Sequence, residues 1–515
     1  MTRDYNAAVQ ALNSLQSNFS AVEAIRKQGP GWNKRALPEM REWVRRIGYQ
    51  HKPSDFDQLN LIHIAGTKGK GSTSSFISSI LSQYLPTQRS IPAERLPTSV
   101  GLYTSPHLRF VRERIQINNQ PISEVTFAKY FWEVWERLES TPPQAVEGEE
   151  PRNVQGKPVY FHYLTLVALH CYMQERLGTA VIECGIGGEY DTTNILERPS
   201  TTGITSLGID HVAMLGDTIE SIAWHKAGIF KSGVPAFTAP QPKSAIEVLM
   251  QRAKECGTEL RVVPEHPALR EIKLGLQGDF QRINASLAVA ICASHLSRLG
   301  LLQAETSLDF SSSLPQEFIS GLESAKLGGR CETRPDTVQK TLTWYLDGGH
   351  TLESIELAGR WFACTTTTST NQNAIKILIF NQQTRDAPAL ARRLHSTLAS
   401  ATGDSHTFSH VIFCTNTTYT SAGYKPDLVS MNSSQADIDT LRVQKDLAEA
   451  WRKVDAEAEA HVLGSIEEAV ACARNLAGGR EASVLITGSL HLVGGAIEVL
   501  EAEAENGLEG NKGDL

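Results

Sequence analysis

Residues 61–73 read Leu61-Ile62-His63-Ile64-Ala65-Gly66-Thr67-Lys68-Gly69-Lys70-Gly71-Ser72-Thr73. The first five are mainly apolar, as in a buried parallel strand, and apolar residues return at helical spacing in residues 72–81. The glycines between these segments let the backbone turn sharply and present N–H groups, and the start of a helix attracts anions. The stretch therefore predicts a strand, a phosphate loop and a helix.

The residue types in this loop suit a nucleotide. Lys70 would reach the terminal phosphates, and Ser72 or Thr73 would cap the helix or place a hydroxyl near Mg²⁺. The spacing departs from the G-x-x-x-x-G-K-[ST] form, because Ile64 stands at its first glycine and Gly71 separates Lys70 from Ser72. A plain glycine turn is the alternative interpretation, but lysine and serine also fall where phosphates need them.

The bulk composition limits the classes of function. With 515 residues the chain is too long for one core and predicts two or three domains. A net charge of -8 argues against non-specific nucleic-acid binding, although it leaves room for local basic pockets that bind an anionic substrate. No apolar stretch approaches the roughly 18 residues of a membrane-spanning segment.

The eight cysteines are scattered without a C-x-x-C pair, which is typical of reduced, buried thiols. The sequence begins Met-Thr-Arg-Asp-Tyr and enters a helical pattern without an Arg- and Ser-rich transit peptide. We therefore expect a cytoplasmic protein, with a mitochondrial form from another start left open.

Polar residues follow three successive strands of the predicted sheet. Ser105 lies just after a strand that begins at Val100, Glu183 ends a strand over 179–183, and His211 follows a strand over 202–207. Taken singly, Ser105 could belong to an ordinary turn, Glu183 could be a solvated strand end, and His211 could be a core histidine. Because open α/β sheets bind ligands at the carboxyl ends of their strands, we expect the three to converge on the phosphate loop and hold Mg²⁺.

Two further residues stand out on predicted helices. Lys226 lies among apolar neighbours, and a buried lysine is costly unless it is paired or modified. Carbamylation by CO₂ would convert it into a carboxylate able to bind a second cation. Asn284, on a helix that runs to about residue 299, carries the donors and acceptor to read an adenine edge.

The second part of the chain alternates strand and helix patterns from residue 342 onwards, which predicts another α/β domain. The region 303–329 is expected to be irregular. The predicted organisation is an N-terminal domain over 1–322, a linker over 323–330, a C-terminal domain over 331–503 and a disordered acidic tail over 504–515.

Taken together, the chain resembles the eukaryotic type of folylpolyglutamate synthase, a family of the Mur ligase superfamily. The matching stretches are residues 6–13, 63–73, 105–108, 112–115, 183–194, 206–215, 226–231, 345–350 and 487–495. The resemblance implies a large P-loop ATPase-like N-terminal domain with a mainly parallel sheet and a smaller Rossmann-like C-terminal domain. It also implies a monomeric ligase that joins L-glutamate to the γ-carboxylate of folate mono- or polyglutamates through an acyl phosphate. Such a reaction retains folates for one-carbon metabolism.

The resemblance also implies roles for individual residues. The ATP contacts would be Gly69, Lys70, Gly71, Ser72, Asn284, Arg330 and Asp347. The Mg²⁺ ligands would be Ser105, Glu183 and His211. Lys70, Lys226 and His350 would be catalytic, Lys226 matches a lysine carbamylated in relatives, and K⁺ or another monovalent cation is a further expected ligand. Gly349 replaces the more usual alanine, which is expected to enlarge backbone freedom there.

Three rival functions share parts of this pattern. A bacterial-type enzyme that also makes dihydrofolate from dihydropteroate has the same fold, but the eukaryotic-type stretches favour the synthase alone. A Mur-type peptidoglycan ligase needs a UDP-sugar site, for which the sequence has no signal. A non-enzymatic nucleotide switch leaves Glu183, His211 and Lys226 unexplained.

Overall fold

The structure is a computed structural model, and it describes residues 3–16, 32–49, 53–85, 97–144, 156–302, 313–367, 374–383, 385–421, 426–428 and 439–510. The chain divides into two compact units. The N-terminal unit comprises Met1–His107 and Arg112–Leu327, and the C-terminal unit comprises Leu108–Val111 and Gly328–Leu515. The predicted linker over 323–330 contains this break. That Leu108–Val111 belongs to the C-terminal unit was not predicted.

The N-terminal unit is built on an eight-stranded sheet of order β4-β3-β2-β5-β1-β6-β7-β8. Its strands are β1 Ile62–Ala65, β2 Val100–Tyr103, β3 Ile115–Ile117, β4 Gln120–Pro121, β5 Thr179–Glu183, β6 Thr201–Ile204, β7 Ala236–Thr238 and β8 Leu260–Val262. The strand β1 pairs in parallel with β5 and β6, and among the described strands of this sheet only the pairings of β3 are antiparallel. The prediction of a mainly parallel sheet around the first strand is confirmed.

Helices cover this sheet. They are α1 Tyr5–Ser14, α2 Ala36–Arg46, α3 Lys70–Ser82, α4 Glu124–Ser140, α5 Tyr160–Gln174, α6 Val212–Leu215, α7 Ile219–Ala227, α8 Lys243–Cys256, α9 Gln281–Arg298 and α10 Gln316–Ser324. In one core cluster, Ile62 and Ile64 of β1 pack with Phe76 and Ile77 of α3 and with Ile291 of α9. The helix after the phosphate loop is thus held by apolar burial.

The helix α10 corrects the expectation that residues 303–329 are irregular. Gly321 within it lowers the local helix propensity, whereas Pro315 at its N-cap is compatible with a helix start. Packing overrides that signal: the Ser79 hydroxyl donates to the Gly321 carbonyl at 2.7 Å. A Cβ at Gly321 would lie 2.5 Å from the Ile80 Cα, so the glycine allows α10 to approach α3 closely. Residues 303–312 lie outside the described part of the chain.

The C-terminal unit has a six-stranded sheet of order β13-β12-β11-β14-β10-β9. Its strands are β9 Glu332–Pro335, β10 Leu342–Asp347, β11 Ile375–Phe380, β12 His410–Cys414, β13 Glu459–Leu463 and β14 Ala482–Thr487. Its helices are α11 Leu352–Thr367, α12 Ala387–Thr402, α13 Arg442–Arg452, α14 Ile466–Ala477 and α15 Leu490–Gly510. The pairings are parallel except that of the edge strand β9. The expected second α/β domain is present.

The helix α15 continues to Gly510 and so enters the segment predicted to be a disordered tail from residue 504. Residues 511–515 lie outside the described part of the chain. Among the described residues, no helix combines the length and the apolar character needed to cross a bilayer.

Acid is expected to destabilise the fold through His295 on α9. Its imidazole is fully buried, pairs with the hydroxyls of Thr179 at 3.0 Å and Ser200 at 2.7 Å, and has its pKa lowered to about 3 by burial. Below pH 6.5, the ordinary histidine pKa, the unfolded chain binds a proton at His295 that the folded chain excludes. The free energy of unfolding therefore decreases as the pH is lowered. The free energy of unfolding is measured by denaturation between pH 7 and 5. His295→Gln should reduce its dependence on pH by up to about 1.4 kcal/mol per pH unit. An unchanged slope would contradict this.

Candidate active site

The phosphate loop connects β1 to α3, and its glycines are required by geometry. Gly66 has φ of +149° and Gly69 has φ of +88°, a left-handed conformation at the N-cap of α3. A Cβ at Gly66 would lie 1.8 Å from the Thr205 hydroxyl oxygen, and one at Gly69 would lie 2.2 Å from the Asn284 Oδ1. Only glycine fits either position, so the chain passes close to β6 and α9 and exposes its backbone at the helix start.

Two backbone hydrogen bonds fix the loop to the segment that follows β6. The N–H groups of Thr67 and Lys68 both donate to the Ser206 carbonyl, at 3.1 and 3.0 Å. The Thr73 N–H donates to the Gly69 carbonyl at 2.8 Å and closes the first turn of α3. The loop is thereby held open at a helix N-terminus, which is a ready anion-binding site.

Two lysines converge on one carbonyl of the loop. The Lys226 Nζ donates to the Gly66 oxygen at 2.7 Å, and the Lys70 Nζ donates to the same oxygen at 3.1 Å. Lys70 also lies 3.9 Å from the Glu183 Oε1. The predicted residues Lys70, Glu183 and Lys226 are therefore brought together at the carboxyl ends of the central strands.

Burial changes the charge of Lys226. The side chain is only 3% exposed. Burial, followed by the positive charge of Lys70, lowers the pKa of Lys226 from 10.5 to about 7. A substantial fraction of this lysine is thus a neutral amine near neutral pH, and a neutral amine is the nucleophilic form.

Ser105 reaches Glu183 as well. Its backbone N–H donates to the Glu183 Oε2 at 3.1 Å, and the Glu183 side chain is buried at the end of β5. A Cβ at Gly71 would lie 3.7 Å from the same oxygen, so the start of α3 passes close to this carboxylate. Ser105, Glu183 and the phosphate loop form one cluster.

His211, the third predicted metal ligand, is exposed, whereas Glu183 is buried. His211 has φ of +52° and precedes the short helix α6. Its backbone N–H is bonded to the carboxylate of Asp210 at 2.9 Å, and that carboxylate binds the Lys68 ammonium at 3.0 Å. The ion pair ties the segment after β6 to the phosphate loop, and sequence analysis missed it.

A relay of side chains connects α3 with α9. The Gln281 amide donates to the Ser72 hydroxyl at 3.3 Å, and the Asn284 amide donates to the Gln281 Oε1 at 2.9 Å. Gln281 was not predicted, although its position three residues before Asn284 places both on one helix face. The predicted residues Ser72 and Asn284 are thus brought together through a third.

The glycine-rich segment after β5 is organised by Asp191. Its buried carboxylate accepts from the N–H groups of Gly185 and Ile186, each at 3.0 Å, and burial raises its pKa. A Cβ at Gly188 would lie 2.8 Å from the Lys226 carbonyl, so this segment packs directly on the end of α7. Asp191 therefore holds the loop that positions the Lys226 helix.

In the C-terminal unit, Asp347 ends β10 and accepts from the N–H groups of Cys331 at 2.9 Å and Gly349 at 2.8 Å. Burial raises its pKa, while the charge of Arg330 acts in the opposite direction. The His350 ring nitrogen Nδ1 lies 2.9 Å from the Gly348 carbonyl. The predicted residues Arg330, Asp347 and His350 thus share one neighbourhood within this unit.

The expectation that Gly349 supplies backbone freedom needs correction. Gly349 does not occupy the left-handed region. A Cβ there would lie 2.9 Å from the Ser354 carbonyl oxygen and 3.0 Å from the Asp347 Oδ1. The glycine provides space between β10 and α11, so an alanine at this position requires its neighbours to shift.

The chain is similar in sequence and in fold to known proteins. Residues 331–499 match the family model described as dihydrofolate synthetase, C-terminal domain. The chain is 48% identical over 502 residues to the folylpolyglutamate synthase of Saccharomyces cerevisiae strain FostersO, covering 97% of this chain and 87% of that relative. Its fold is similar to that of Mycobacterium tuberculosis folylpolyglutamate synthase complexed with ADP and AMPPCP, with a TM-score of 0.66, 21% identity, and 94% and 98% of the two chains covered. It is also similar to E. coli FolC in complex with DHPP and ADP, with a TM-score of 0.65, 22% identity, and 97% and 98% covered.

Proposed function

Because the chain belongs to the folylpolyglutamate synthase family, we propose that it uses ATP to join L-glutamate to the γ-carboxylate of folate mono- and polyglutamates. The observation that carries the proposal is the phosphate loop at the start of α3, with Lys70, Lys226 and the buried Glu183 gathered around it. A binding module needs the loop but has no use for a buried lysine and a buried carboxylate beside it.

The chemistry explains why such a cluster is needed. A carboxylate is a poor acyl donor, so the γ-phosphate of ATP is first transferred to the folate γ-carboxylate, and the glutamate amine then attacks the acyl phosphate. Positioning and charge stabilisation dominate phosphoryl transfer. Lys70 stabilises the developing charge on the transferred phosphate, the glycine backbone orients the triphosphate, and Ser72 supplies a hydroxyl at the helix start. Asn284 is proposed to contact the nucleotide from α9.

The residues around Glu183 suit a hard cation. Its carboxylate is buried, receives the Ser105 N–H, and has its lysine partner at 3.9 Å, which is longer than a hydrogen bond. Glu183, Ser105 and His211 would hold Mg²⁺ there, and the ion would neutralise phosphate charge when bound.

Lys226 is proposed to be the site of carbamylation. Its neutral amine attacks CO₂, a C–N bond forms and one proton is released, which leaves a carboxylate on the side chain. A negative group there relieves the repulsion between Lys226 and Lys70 that helps to depress the pKa of Lys226.

We expect native mass spectrometry at neutral pH, in bicarbonate, to show an adduct with the mass of one CO₂. Carbon NMR with isotope-labelled bicarbonate should show a matching carbamate signal. Both signals should vanish in Lys226→Met and persist in Lys231→Met, a lysine close by whose pKa is also lowered by burial. An adduct that survives in Lys226→Met would place the modification elsewhere.

Elongation of tetrahydrofolate tests the function directly. Purified protein with ATP, Mg²⁺ and glutamate should add glutamates stepwise and release one ADP for each addition. The family model described as dihydrofolate synthetase favours a second candidate, glutamylation of dihydropteroate, and the same assay with that substrate measures it. ATP hydrolysis without either product would contradict both ligase functions.

A further inference from the structure

A compact cluster of ligating side chains lies far along the chain from the residues proposed for catalysis, on the edge of the C-terminal sheet. His410 begins β12, Glu459 begins the edge strand β13, and His461 follows two residues later. In the parallel register His410 pairs with Glu459, and Ile412 pairs with His461. Residues two apart on a strand point to the same face, so all three side chains project from one side of the sheet.

The distances between their ligating atoms are short. The His410 Nδ1 lies 3.5 Å from the His461 Nε2 and 3.5 Å from a Glu459 oxygen. The His461 Nε2 lies 4.0 Å from the other Glu459 oxygen. Among the His, Cys, Asp and Glu side chains of the described residues, this is the one group of three whose ligand atoms come within 4.8 Å of one another.

Two of these three separations, both 3.5 Å, match the edges of a metal coordination polyhedron, and the third, at 4.0 Å, is longer. With metal–ligand distances of about 2.0–2.2 Å, the ligands of a tetrahedral Zn²⁺ lie about 3.4 Å apart. Two imidazoles and one carboxylate form a ligand set typical of zinc, with a fourth position left for water. We propose that His410, Glu459 and His461 form a binding site for a divalent transition-metal ion, with Zn²⁺ as its occupant.

The surroundings provide both rigidity and access. The imidazoles are 18% and 20% exposed, so the sheet holds them in place, whereas Glu459 is 68% exposed and can adjust its rotamer around an ion. The Glu459 carboxylate favours positive charge at His410 and therefore a cation, whereas the positive charge of Arg480 disfavours it. The ion therefore binds at a partly exposed site that it can enter from solvent.

The site has a structural consequence. One edge strand contributes Glu459 and His461, and its neighbour contributes His410, so a bound ion connects β13 to β12. An edge strand has neighbours on one side only, and a metal that binds the folded state stabilises it by mass action. Zinc therefore stabilises the pairing of β13 with β12 at the sheet edge, and this structural role is separate from the ligase chemistry.

Zinc binding is measured on full-length, tag-free protein stripped with a chelator, by titration calorimetry with Zn²⁺ alone. Wild-type protein should bind one ion at this site and show a raised thermal midpoint. His410→Gln and His461→Gln should each weaken binding on the order of 100-fold, and the exposed Glu459→Gln by about tenfold. With Co²⁺ in place of zinc, the visible spectrum of a four-coordinate site should appear in wild-type protein and vanish in both histidine variants.

His406→Gln is the matched control. His406 also contacts two carboxylates, Asp455 at 2.9 Å and Glu457 at 3.6 Å, but through different ring nitrogens, so one ion cannot join all three. This variant should bind zinc as wild type does. Zinc affinity and Co²⁺ spectrum unchanged by the two histidine variants, or no stoichiometric binding in wild type, would overturn the proposal. Should a histidine variant fail to fold, Glu459→Gln decides by the same criterion.

Discussion

Replacing Lys70 with alanine is expected to reduce ATP-dependent glutamylation of folate by about 100- to 1,000-fold, the usual cost of removing one transition-state donor. Lys70 is the first residue of α3, and its ammonium donates to the Gly66 carbonyl and lies 3.9 Å from the Glu183 carboxylate. In the proposed mechanism charge develops on the transferred phosphate beside Lys70, and alanine removes the ammonium that would stabilise it. Single-turnover release of ADP, measured with saturating folate, isolates the chemical step.

Lys68→Ala is the matched control for Lys70→Ala. Both lysines belong to the phosphate loop, but the Lys68 ammonium is engaged with Asp210 at 3.0 Å rather than with the strand ends. We expect less than about a tenfold loss, in line with an ion pair whose role is to position the loop. Equal losses in the two variants would show that the loop needs positive charge in general and not Lys70 in particular.

The parts of the fold that followed from sequence are those whose signal is local. Thr179–Glu183 was predicted at its observed bounds, because it is a short apolar run that ends on a carboxylate. The strand β13 was missed because two of its five residues, Glu-Ala-His-Val-Leu, are polar and none of the five is fully buried at the sheet edge. Its partner strand, and not its own pattern, makes it a strand.

The candidate site also contains contacts that the sequence predicted and contacts that it could not predict. The rule that ligands bind at the carboxyl ends of parallel strands predicted that Ser105, Glu183 and His211 would converge on the phosphate loop. Glu183 lies 3.9 Å from Lys70 and accepts from the Ser105 N–H, whereas the backbone of His211 is connected to the loop through Asp210 and Lys68. The Lys68 to Asp210 ion pair and the Gln281 relay join residues far apart in sequence through side chains alone. No local pattern carries such contacts, because they depend on the packing of two distant elements.

Lys226→Met is expected to have opposite effects on activity and stability. Methionine has a similar length and no charge, so it removes the cost of burying an ammonium that is only 3% exposed. The Gly66 carbonyl keeps Lys70 as a donor at 3.1 Å. We therefore expect a higher thermal midpoint at neutral pH in CO₂-free buffer, where Lys226 is unmodified, together with at least about a 100-fold loss of glutamylation. Stability lost at functional sites is a common cost of activity.

The pH dependence of this gain identifies its cause. The pKa of Lys226 is about 7 in the folded chain against 10.5 ordinarily, so between these values the unfolded chain holds a proton that the folded chain lacks. Unfolding then takes up a proton, and the stability of the wild-type protein rises with pH across this range. In CO₂-free buffer, the advantage of Lys226→Met over wild type should shrink from pH 7 to 9 by up to about 1.4 kcal/mol per pH unit. The exposed Lys254→Met should show no such trend, and an advantage of Lys226→Met independent of pH would mean that packing, not the buried charge, stabilises the variant.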